Sequence, residues 1–425
     1  MIPCSLWMLA FLAGEWGVWP GLLLVVGGGF ALVLVVGGGF ALVLVAVQCL
    51  VALVNLLSRP WLTREIPPDE PLVSVLIPAR NEASTIGNLL SDLSRQPWPH
   101  LEILVFDDQS EDDTAAVVQV AAATDPRIRL ISSPGLPEGW TGKNFGCHTL
   151  AATARGEFLL FLDADVRLGG HLTANAVAAS RRLHTGLITI FPQQTMLTRG
   201  EKWTVPVMHY ILVSLLPLPL VLRSSRPSLA AANGQFMFFT AEAYKKLQPH
   251  FRVRNTRVED IAIARMMKQQ GERVACLLGD ERITCRMYYG FREAVNGFSR
   301  SVTAFFGNSF LLALLFWLLT TLGFVPLVLT PLLTPLLTPL LHPALEPAAL
   351  FPFLPLPSNP GVSLLMLWLA FTLGTRIFVS LASRQPLFLN LGLLSIHQIS
   401  LGLFIFKALR NKWKQGFEWK GRLVS

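Results

Sequence analysis

Charged residues are scarce in this chain. Asp, Glu, Lys and Arg make up 15% of its 425 residues, against about 25% in a typical soluble domain, and 52% of the residues are hydrophobic. The scarcity excludes a chain that is soluble along its whole length. Because the apolar residues gather at the two ends, we expect a domain of mixed charge over residues 71–305, with membrane segments on either side.

Paired cysteines are absent as well. The five cysteines are scattered and form no Cys-x-x-Cys pair, which excludes both a disulfide framework and a zinc site of that type. The formal net charge is +8, but no basic stripe with interleaved aromatic residues accompanies it, so we expect no nucleic-acid partner. A basic tail over residues 407–425 instead carries Lys407, Arg410, Lys412, Lys414, Lys420 and Arg422. Such a tail beside an apolar stretch is typical of membrane topology and of contact with anionic lipid.

An N-terminal segment, residues 1–20, precedes an uncharged apolar stretch over residues 21–58. About 20 apolar residues span a bilayer, so this stretch predicts a transmembrane anchor. A cleaved signal peptide would follow a basic start, whereas the first basic residue here is Arg59. The stretch Val25–Leu34 repeats identically at Val35–Leu44, which indicates either a tandem duplication or a glycine-rich face for helix packing.

Three further spans are predicted after the central domain. One covers residues 309–330, and two lie within residues 362–406, at Val362–Ser380 and Pro386–Phe406. Residues 331–360 carry prolines that interrupt helical hydrogen bonding, so we expect a linker or a segment that dips into the membrane. The positive-inside tendency places the central domain in the cytoplasm, in an integral protein of the cell (inner) membrane. Four spans would leave the basic tail outside, so its side stays open.

Four short apolar runs in the central domain alternate with helical patterns: Leu72–Pro78, Ile103–Phe106, Ile128–Ser132 and Phe158–Leu162. The alternation predicts an α/β fold with a mostly parallel sheet. Ligands of such sheets bind outside the carboxyl ends of the strands. Acidic clusters follow the second and fourth runs, at Asp107–Thr114 and Asp163–Asp165, so we expect both at the binding edge.

The aspartates Asp163 and Asp165 suit a particular kind of ligand, although taken alone they would be solvated turn residues. Bare carboxylates repel a nucleoside diphosphate, and a divalent cation between them removes this conflict. Mg²⁺ or Mn²⁺ prefers oxygen ligands and is often held by one or two carboxylates plus substrate phosphates. Such a cation also stabilises charge on a departing diphosphate.

Three motifs in this order and spacing carry a resemblance: Val73–Glu82, Asp107–Thr114 and Asp163–Asp165. The segment from Val73 to about Arg300 resembles a family 2 glycosyltransferase of the GT-A fold, a Rossmann-like α/β domain. The resemblance implies a nucleotide-diphosphate sugar as donor, most often a UDP-sugar. It implies that Asp165 binds the metal, with Asp163 near the ribose, the diphosphate and the metal. The residues that it implies around the nucleotide base are Pro78, Ala79, Arg80, Asn81, Glu82 and Asp108.

A loop with two glycines and a lysine, Leu136–Asn144, precedes the metal motif. Such a loop suits a diphosphate, although it lacks the G-x-x-x-x-G-K-[ST] pattern of a P-loop. Lys143 is therefore either a donor-site residue, which the resemblance favours, or a solvated lysine. Arg300 is open in the same way, because it either assists the departing diphosphate or lies at the membrane surface.

The acceptor region is predicted at Asn233, Gly234 and Gln235, and the acidic pair Glu259-Asp260 follows it. The pair resembles the one in which this family places its catalytic base, and Asp260 is the predicted base. Inverting sugar transfer needs a group that takes the proton from the attacking hydroxyl, which a carboxylate can do. Because the pair begins a predicted helix, a role as an ordinary partner of the helix dipole stays open.

The motif Gln-x-x-Arg-Trp, which processive polysaccharide synthases of this family carry after the acidic pair, is absent. The chain is instead similar to the non-processive branch associated with carotenoid and hopanoid glycosylation. We therefore expect a metal-dependent hexosyltransferase that acts on an isoprenoid, carotenoid-type or other membrane lipid at the cytoplasmic face. The alternatives are a processive polysaccharide synthase and a non-catalytic membrane protein that binds nucleotide-sugars.

Overall fold

The computed structural model describes residues 18–256, 258–329, 332, 360–413, 417–419 and 422–424. Most of the predicted N-terminal segment and of the proline-rich stretch lies outside these residues. The chain divides into two compact units. The larger unit, Leu50–Ala313 with Arg376–Ser425, contains the strands, and the smaller unit combines residues up to Cys49 with Leu314–Thr375.

The strands are β1 (Val73–Ala79), β2 (Leu101–Asp107), β3 (Ile128–Ser132), β4 (Phe158–Leu162), β5 (Val166–Leu168), β6 (Leu187–Phe191), β7 (Gln193–Gln194), β8 (Phe236–Thr240), β9 (Val274–Leu278), β10 (Ile283–Cys285), β11 (Phe417–Trp419) and β12 (Arg422–Val424). The helices are α1 (Val18–Ser58), α2 (Ile86–Ser94), α3 (Thr114–Thr124), α4 (Gly142–Thr153), α5 (Leu172–Leu183), α6 (Arg199–Thr204), α7 (Pro206–Leu215), α8 (Leu218–Arg223), α9 (Ala241–Leu247), α10 (Pro249–Arg252), α11 (Glu259–Gln269), α12 (Phe291–Ser301), α13 (Phe310–Leu322), α14 (Pro360–Ala382), α15 (Leu387–Gly392) and α16 (Leu394–Trp413). Two 3₁₀ turns cover Pro227–Leu229 and Val302–Phe306.

A seven-stranded sheet in the order β3-β2-β1-β4-β8-β6-β9 forms the centre of the larger unit. Its strands are parallel except β8, which is antiparallel to β4 and β6. Strands buried on both faces are continuous apolar runs, and residues 73–77 of β1 are fully buried in this way. The prediction of a mostly parallel, Rossmann-like α/β domain is confirmed. The carboxyl ends of β1, β2 and β4 consequently share one edge, where the acidic clusters lie.

A second, smaller sheet follows directly from the metal motif. Its strands have the order β5-β10-β7, with β5 antiparallel and β7 parallel to β10. Gln194 of β7 lies opposite Cys285 of β10. This sheet brings the chain after β6 and the chain after β9 next to the loop between β4 and β5.

The end of α1 is fixed within the larger unit by the side chain of Asn55, which is fully buried. Its Nδ2 donates to Val213 O and to Leu216 O, both at 2.8 Å. Its Oδ1 accepts from the N–H of Leu218 at 2.7 Å. One amide thus satisfies three backbone groups of the connection between α7 and α8.

In the smaller unit, the second copy of the glycine-rich repeat lies in close contact with another part of that unit. A side-chain carbon added at Gly38 would lie 2.9 Å from Leu327 Cδ2, whereas no described atom lies within 4 Å of one added at Gly37 or Gly39. Small residues let membrane helices approach closely. The structure therefore favours helix packing at one glycine of the repeat, and duplication still accounts for the identity of the two copies.

Two described helices are long and apolar enough to cross a membrane, Val36–Ser58 and Val362–Ala382. They correspond to the predicted anchor and to the first of the two C-terminal spans. A third candidate is the helix pair Phe291–Phe306 and Phe310–Leu322, which bends by 98° at its break. That bend lies at the start of the predicted span over residues 309–330. Within this span, the helix α13 ends at Leu322.

The stretch Pro386–Phe406 is not among these candidates, and its assignment as a span stays a prediction. The helix breaks between α15 and α16, and α16 carries polar residues that the rest of the larger unit buries. His397 is 1% exposed and its Nε2 lies 2.9 Å from Lys202 O. On the same helix, the ring of Phe404 contacts that of Phe298. His397 and Phe404 thus pack against protein, whereas Ile399 and Phe406 of the same helix are 60% and 51% exposed.

Candidate active site

The loop after β1 is held against the loop after β2 by Arg80. Its Nη1 donates to the backbone oxygens of Asp108 at 2.6 Å and Gln109 at 2.8 Å. The N–H of Asp108 donates in turn to Ala79 O at 2.8 Å. These hydrogen bonds hold the residues that are predicted to bind the nucleotide base in one surface at the carboxyl edge of the sheet. Arg80 is 6% exposed and shapes this surface through the backbone.

The Asn81-Glu82 pair is ordered by the acidic loop that follows β2. Asn81 has a φ of 52°, a left-handed conformation that asparagine adopts more readily than most residues. Its N–H donates to Ser110 Oγ at 3.0 Å, and its Oδ1 accepts from the N–H of Glu111 at 2.8 Å. The N–H of Glu82 donates to Thr114 Oγ1 at 2.8 Å. The two predicted base-binding loops therefore depend on each other for their conformation.

Lys143 lies in the first turn of α4, which Thr141 caps by accepting from the N–H of Asn144. Its Nζ lies 2.7 Å from Asp163 Oδ1 and 3.0 Å from Glu259 Oε1. Although burial lowers the pKa of Lys143, these two carboxylates raise it well above its usual value. A single positive charge thus joins the aspartate after β4 to the acidic pair at the start of α11.

Asp165 lies in the loop between β4 and β5, among other carboxylates. Burial and the neighbouring Asp163 and Glu82 carboxylates raise the pKa of Asp165 to about 7. Its Oδ1 is buried and accepts no hydrogen bond from the residues that the structure describes. The interpretation as a solvated turn aspartate is therefore wrong for Asp165. The Cys285 side chain forms a hydrogen bond with the Asp165 carboxyl group, so one carboxylate oxygen remains without a partner among the described residues.

The carboxylate oxygens of Asp163 and Asp165 decide whether a metal ion fits the loop between β4 and β5. Among the described residues, no group of three His, Cys, Asp or Glu side chains is arranged to hold a metal ion. Asp163 and Asp165 nevertheless suit a divalent cation, because it would relieve their repulsion and serve the unpaired buried oxygen. Mg²⁺ is commonly bound through one or two carboxylates, with waters and phosphates as its remaining ligands. Metal binding by these two residues stays a prediction.

Asp260 is the second residue of α11 and is half-buried. Burial and the adjacent Glu259 carboxylate raise the pKa of Asp260 to about 7. Its Oδ1 accepts from the N–H of Ile261 at 2.7 Å, and its Oδ2 accepts from the N–H of Gly234 at 3.1 Å. The carboxylate is thus held in one orientation by two backbone donors, and its pKa lies in the range useful for proton transfer at neutral pH.

The predicted acceptor region packs against the ion pair of Lys143 and Glu259. A Cβ added at Gly234 would lie 2.8 Å from Lys143 Nζ and 3.2 Å from Glu259 Oε1. A larger residue would therefore displace the lysine. Asn233 Oδ1 accepts from the N–H of Gln235 at 2.8 Å, and Gln235 is 2% exposed. These neighbours hold the backbone at Gly234 in place.

Arg300 is not part of the ion pairs formed by Lys143. It is exposed on α12, and no ion pair joins it to a carboxylate within the described part of the chain. Burial raises the pKa of Tyr288, and the charge of Arg300 lowers it. The structure thus brings the acidic residues and Lys143 together, whereas the charges of Arg300 and Asp165 both act on Tyr288.

Two residues to which the sequence analysis assigned no individual role support the ion pairs of Lys143. Asn144 is 1% exposed, and its Nδ2 donates to Val253 O at 2.9 Å, which fixes the segment that leads to the acidic pair. Cys285, at the end of β10, accepts from Gln235 Nε2 at 2.9 Å. These partners are separated by 109 and 50 residues in sequence, so no local pattern could have identified them.

Comparison with known proteins places this site in a wider group. Residues 74–248 match the family model described as Glycosyl transferase family 2. The match begins within β1 and includes both aspartates of the metal motif. It ends before the acidic pair Glu259-Asp260.

Two curated relatives match parts of the chain that differ in length. A 4,4'-diaponeurosporenoate glycosyltransferase of Staphylococcus haemolyticus is 26% identical over 231 residues, 54% of this chain and 60% of that protein. A GalNAc(5)-diNAcBac-PP-undecaprenol beta-1,3-glucosyltransferase of Campylobacter jejuni is 36% identical over 99 residues, 23% of this chain and 31% of that protein. The chain thus spans less than two thirds of the length of either relative. Among solved structures, mannosyltransferase PcManGT from Pyrobaculum calidifontis in complex with GDP-Man and Mn2+ is 18% identical, with a TM-score of 0.49 over 88% of this chain and 99% of that chain.

Proposed function

We propose that this chain transfers a sugar from a nucleotide-diphosphate sugar to a lipid-like acceptor. Residues 74–248 match the Glycosyl transferase family 2 model, which supports the proposal. Transfer inverts the anomeric carbon and takes place at the cytoplasmic face of the cell (inner) membrane. The observation that carries the proposal is the position of Lys143 Nζ between Asp163 and Glu259, at 2.7 and 3.0 Å. This contact joins a donor side and an acceptor side in one cluster.

On the donor side, the loops after β1 and β2, which are hydrogen-bonded to each other, bind the nucleotide base, for which we propose uracil. Lys143 provides the positive charge for the diphosphate and exchanges its carboxylate partners for phosphate oxygens. Hydrogen bonds to charged groups are worth roughly 1.5–3 kcal/mol each. Asp163, at the end of β4, then faces the ribose side of the donor.

On the acceptor side, Asp260 is the base. It takes the proton from the acceptor hydroxyl while the hydroxyl oxygen attacks the anomeric carbon. The bond between that carbon and the diphosphate oxygen breaks, and the diphosphate leaves with the electron pair. The N–H groups of Gly234 and Ile261 fix the carboxylate during this step. Its raised pKa matches proton transfer at neutral pH.

A divalent cation, Mg²⁺ or Mn²⁺, would neutralise charge on the departing diphosphate when it is bound. We assign Asp163 and Asp165 to it. The supporting observation is Asp165 Oδ1, which is buried without a hydrogen bond from the described residues.

Membrane helices in the same chain support a lipid acceptor. Val36–Ser58 and Val362–Ala382 are candidate spans, so the chain meets its acceptor at the bilayer. An amphiphile whose apolar part stays in the membrane avoids a cost of roughly 0.8 kcal/mol for each CH₂ exposed to water. The two relatives are named for a diaponeurosporenoate and for a PP-undecaprenol, which favours an isoprenoid or carotenoid-type acceptor here.

The test is sugar transfer by the purified full-length protein. Labelled UDP-sugars and extracted membrane lipids are incubated with it, and the products are separated and identified by mass spectrometry. We expect a lipid that carries a single sugar, loss of activity with EDTA, and recovery with Mg²⁺ or Mn²⁺. A polymeric product would instead identify a polysaccharide synthase. Donor binding without any product from any lipid would identify a non-catalytic binding protein.

A further inference from the structure

Trp61 joins the ends of the two candidate membrane spans within the larger unit. The first span ends at Ser58 and the second at Ala382. The indole Nε1 of Trp61 donates to Ala382 O at 2.9 Å, and the guanidinium of Arg384 lies 5.0 Å from the centre of the Trp61 ring. Tryptophan is enriched at the membrane–water interface, and arginine extends its charge to the head groups there. The contact between Trp61 and Ala382 is therefore expected at the level of the lipid head groups.

A cavity of about 330 Å³ lies beside this contact, and Arg384 is one of its lining residues. Its walls come from the connection between α14 and α15, from α6 and from the chain around β7. Ligand pockets typically begin at about 300 Å³, so this volume suits the head group of one phospholipid rather than a whole lipid. None of the described residues that line it is assigned to sugar transfer, so its ligand is distinct from donor and acceptor.

The charged side chains that line the cavity are Lys202 and Arg384. A ligand can reach both, because Arg384 is exposed and Lys202 is half-buried. Arg384 Nη1 pairs with Glu281 Oε2 at 2.6 Å, but the Glu281 carboxylate also pairs with Arg64. Within the part of the chain that the structure describes, no ion pair joins Lys202 to a carboxylate. Positive charge is therefore in excess at the cavity, which favours an anionic group such as phosphate.

One side of the cavity is apolar. Met196 and Leu389 line it, and their sequence neighbours Leu197 and Phe388 are 63% and 87% exposed. Large apolar side chains exposed beside a pocket are typical of a surface that contacts lipid or another apolar partner. At the level of the head groups, the apolar partner beside these side chains is the upper part of the acyl chains.

From these features we propose that the cavity binds the head group of an anionic membrane phospholipid. Its phosphate accepts hydrogen bonds from Lys202 and Arg384, and its acyl chains extend over Leu197 and Phe388. The bound lipid thus joins α6 to the connection between α14 and α15. This lipid is a partner and not the sugar acceptor, so the inference does not rest on the proposed function.

Lipid binding to the purified full-length protein in neutral detergent tests the inference. Dioleoyl phosphatidylglycerol and dioleoyl phosphatidylcholine, which have the same acyl chains, are titrated separately, and native mass spectrometry measures the bound lipid. We expect phosphatidylglycerol to bind about tenfold more tightly, equivalent to about 1.4 kcal/mol, because the choline cation of the other lipid repels the cationic side chains. Lys202→Met removes this preference, and the matched control Lys245→Met, at an exposed lysine of α9, retains it.

The basic residues at the end of α16 are a rival site for an anionic lipid, so Lys407→Met is measured in the same way. We expect Lys407→Met to retain the preference for phosphatidylglycerol. Loss of the preference in Lys407→Met with its retention in Lys202→Met would overturn the inference. Equal binding of the two lipids by the unaltered protein would overturn it as well.

A second variant keeps the test decisive if Lys202→Met does not fold. Met196→Glu puts a negative charge in the wall of the cavity, so we expect it to weaken binding of phosphatidylglycerol more than that of phosphatidylcholine. An unchanged preference in either folded variant contradicts the proposal. Glycerol 3-phosphate carries a phosphate without acyl chains, and we expect it not to displace phosphatidylglycerol at equal concentration. Displacement would identify a site for a free phosphate in place of a lipid.

Discussion

Lys143 Nζ lies 2.7 Å from Asp163 Oδ1, so the only cation of the cluster described above touches the first aspartate of the predicted metal motif. Lys143→Gln removes the charge but keeps a hydrogen-bonding side chain. We expect it to weaken donor binding by roughly 10- to 150-fold, the equivalent of one charge-assisted hydrogen bond. Titration of UDP against the purified variant measures this. Lys245→Gln is the control, and unchanged UDP affinity in Lys143→Gln would remove the lysine from the donor site.

The role of Asp260 predicts a separation between binding and transfer. Asp260→Asn keeps the size of the side chain but cannot accept the proton, so we expect transfer to fall by about 10²- to 10⁴-fold while UDP binding stays unchanged. Glu242→Gln, at an exposed carboxylate of α9, is the control. Transfer at the unaltered rate in Asp260→Asn would show that another group is the base.

The same carboxylate predicts a pH dependence. Burial and Glu259 raise the pKa of Asp260 to about 7, so the group is protonated, and inactive as a base, below that pH. We expect kcat/KM to rise with pH and to level off above about 7, at saturating divalent cation. The residual activity of Asp260→Asn should lack this limb. A rate that does not change between about pH 5.5 and 8.5 is the contrary result.

The hydrogen bonds of Asn144 position the segment before the acidic pair, so we expect a substitution there to affect the transfer step and not donor binding. Its Nδ2 donates to Val253 O at 2.9 Å and to Thr256 O at 3.1 Å, just before the acidic pair. Asn144→Ala leaves these buried oxygens unpaired, so we expect a loss of about 1–3 kcal/mol in the free energy of unfolding. We also expect a lower kcat with little change in UDP affinity. Chemical denaturation and steady-state kinetics measure both, with Asn88→Ala on the exposed face of α2 as control. A kcat equal to that of the control variant would limit Asn144 to a role in stability.

The parallel sheet could be predicted from sequence because its signal is local. β3 and β4 have the predicted bounds. All five residues of β4 are buried, and a strand buried on both faces is a continuous apolar run between polar residues, whereas β3 is an edge strand with exposed residues. The start of α11 at Glu259 was also visible, as an acidic pair before a helical pattern. The span over Pro386–Phe406 stays a prediction, because composition does not distinguish a side chain that faces lipid from one that faces protein.

The contacts within the site could not be predicted in the same way. Lys143 and Glu259 lie in different halves of the domain, and the fold alone brings them to 3.0 Å. The unpaired oxygen of Asp165 and the buried amide of Asn144 depend on the packing of segments that are distant in sequence. A family resemblance names residue roles, whereas only coordinates identify the partners of each residue.

The amide of Asn55 has a practical consequence for making a shortened, water-soluble form of this protein. Its three hydrogen bonds to α7 and the α7–α8 connection mean that the last turns of α1 belong to the larger unit. A truncation that begins after Ser58 would strip that connection of its partners and expose apolar surface. Trimming should therefore stop before Leu50, so that the helical turns that carry Asn55 are retained with the unit to which they are hydrogen-bonded.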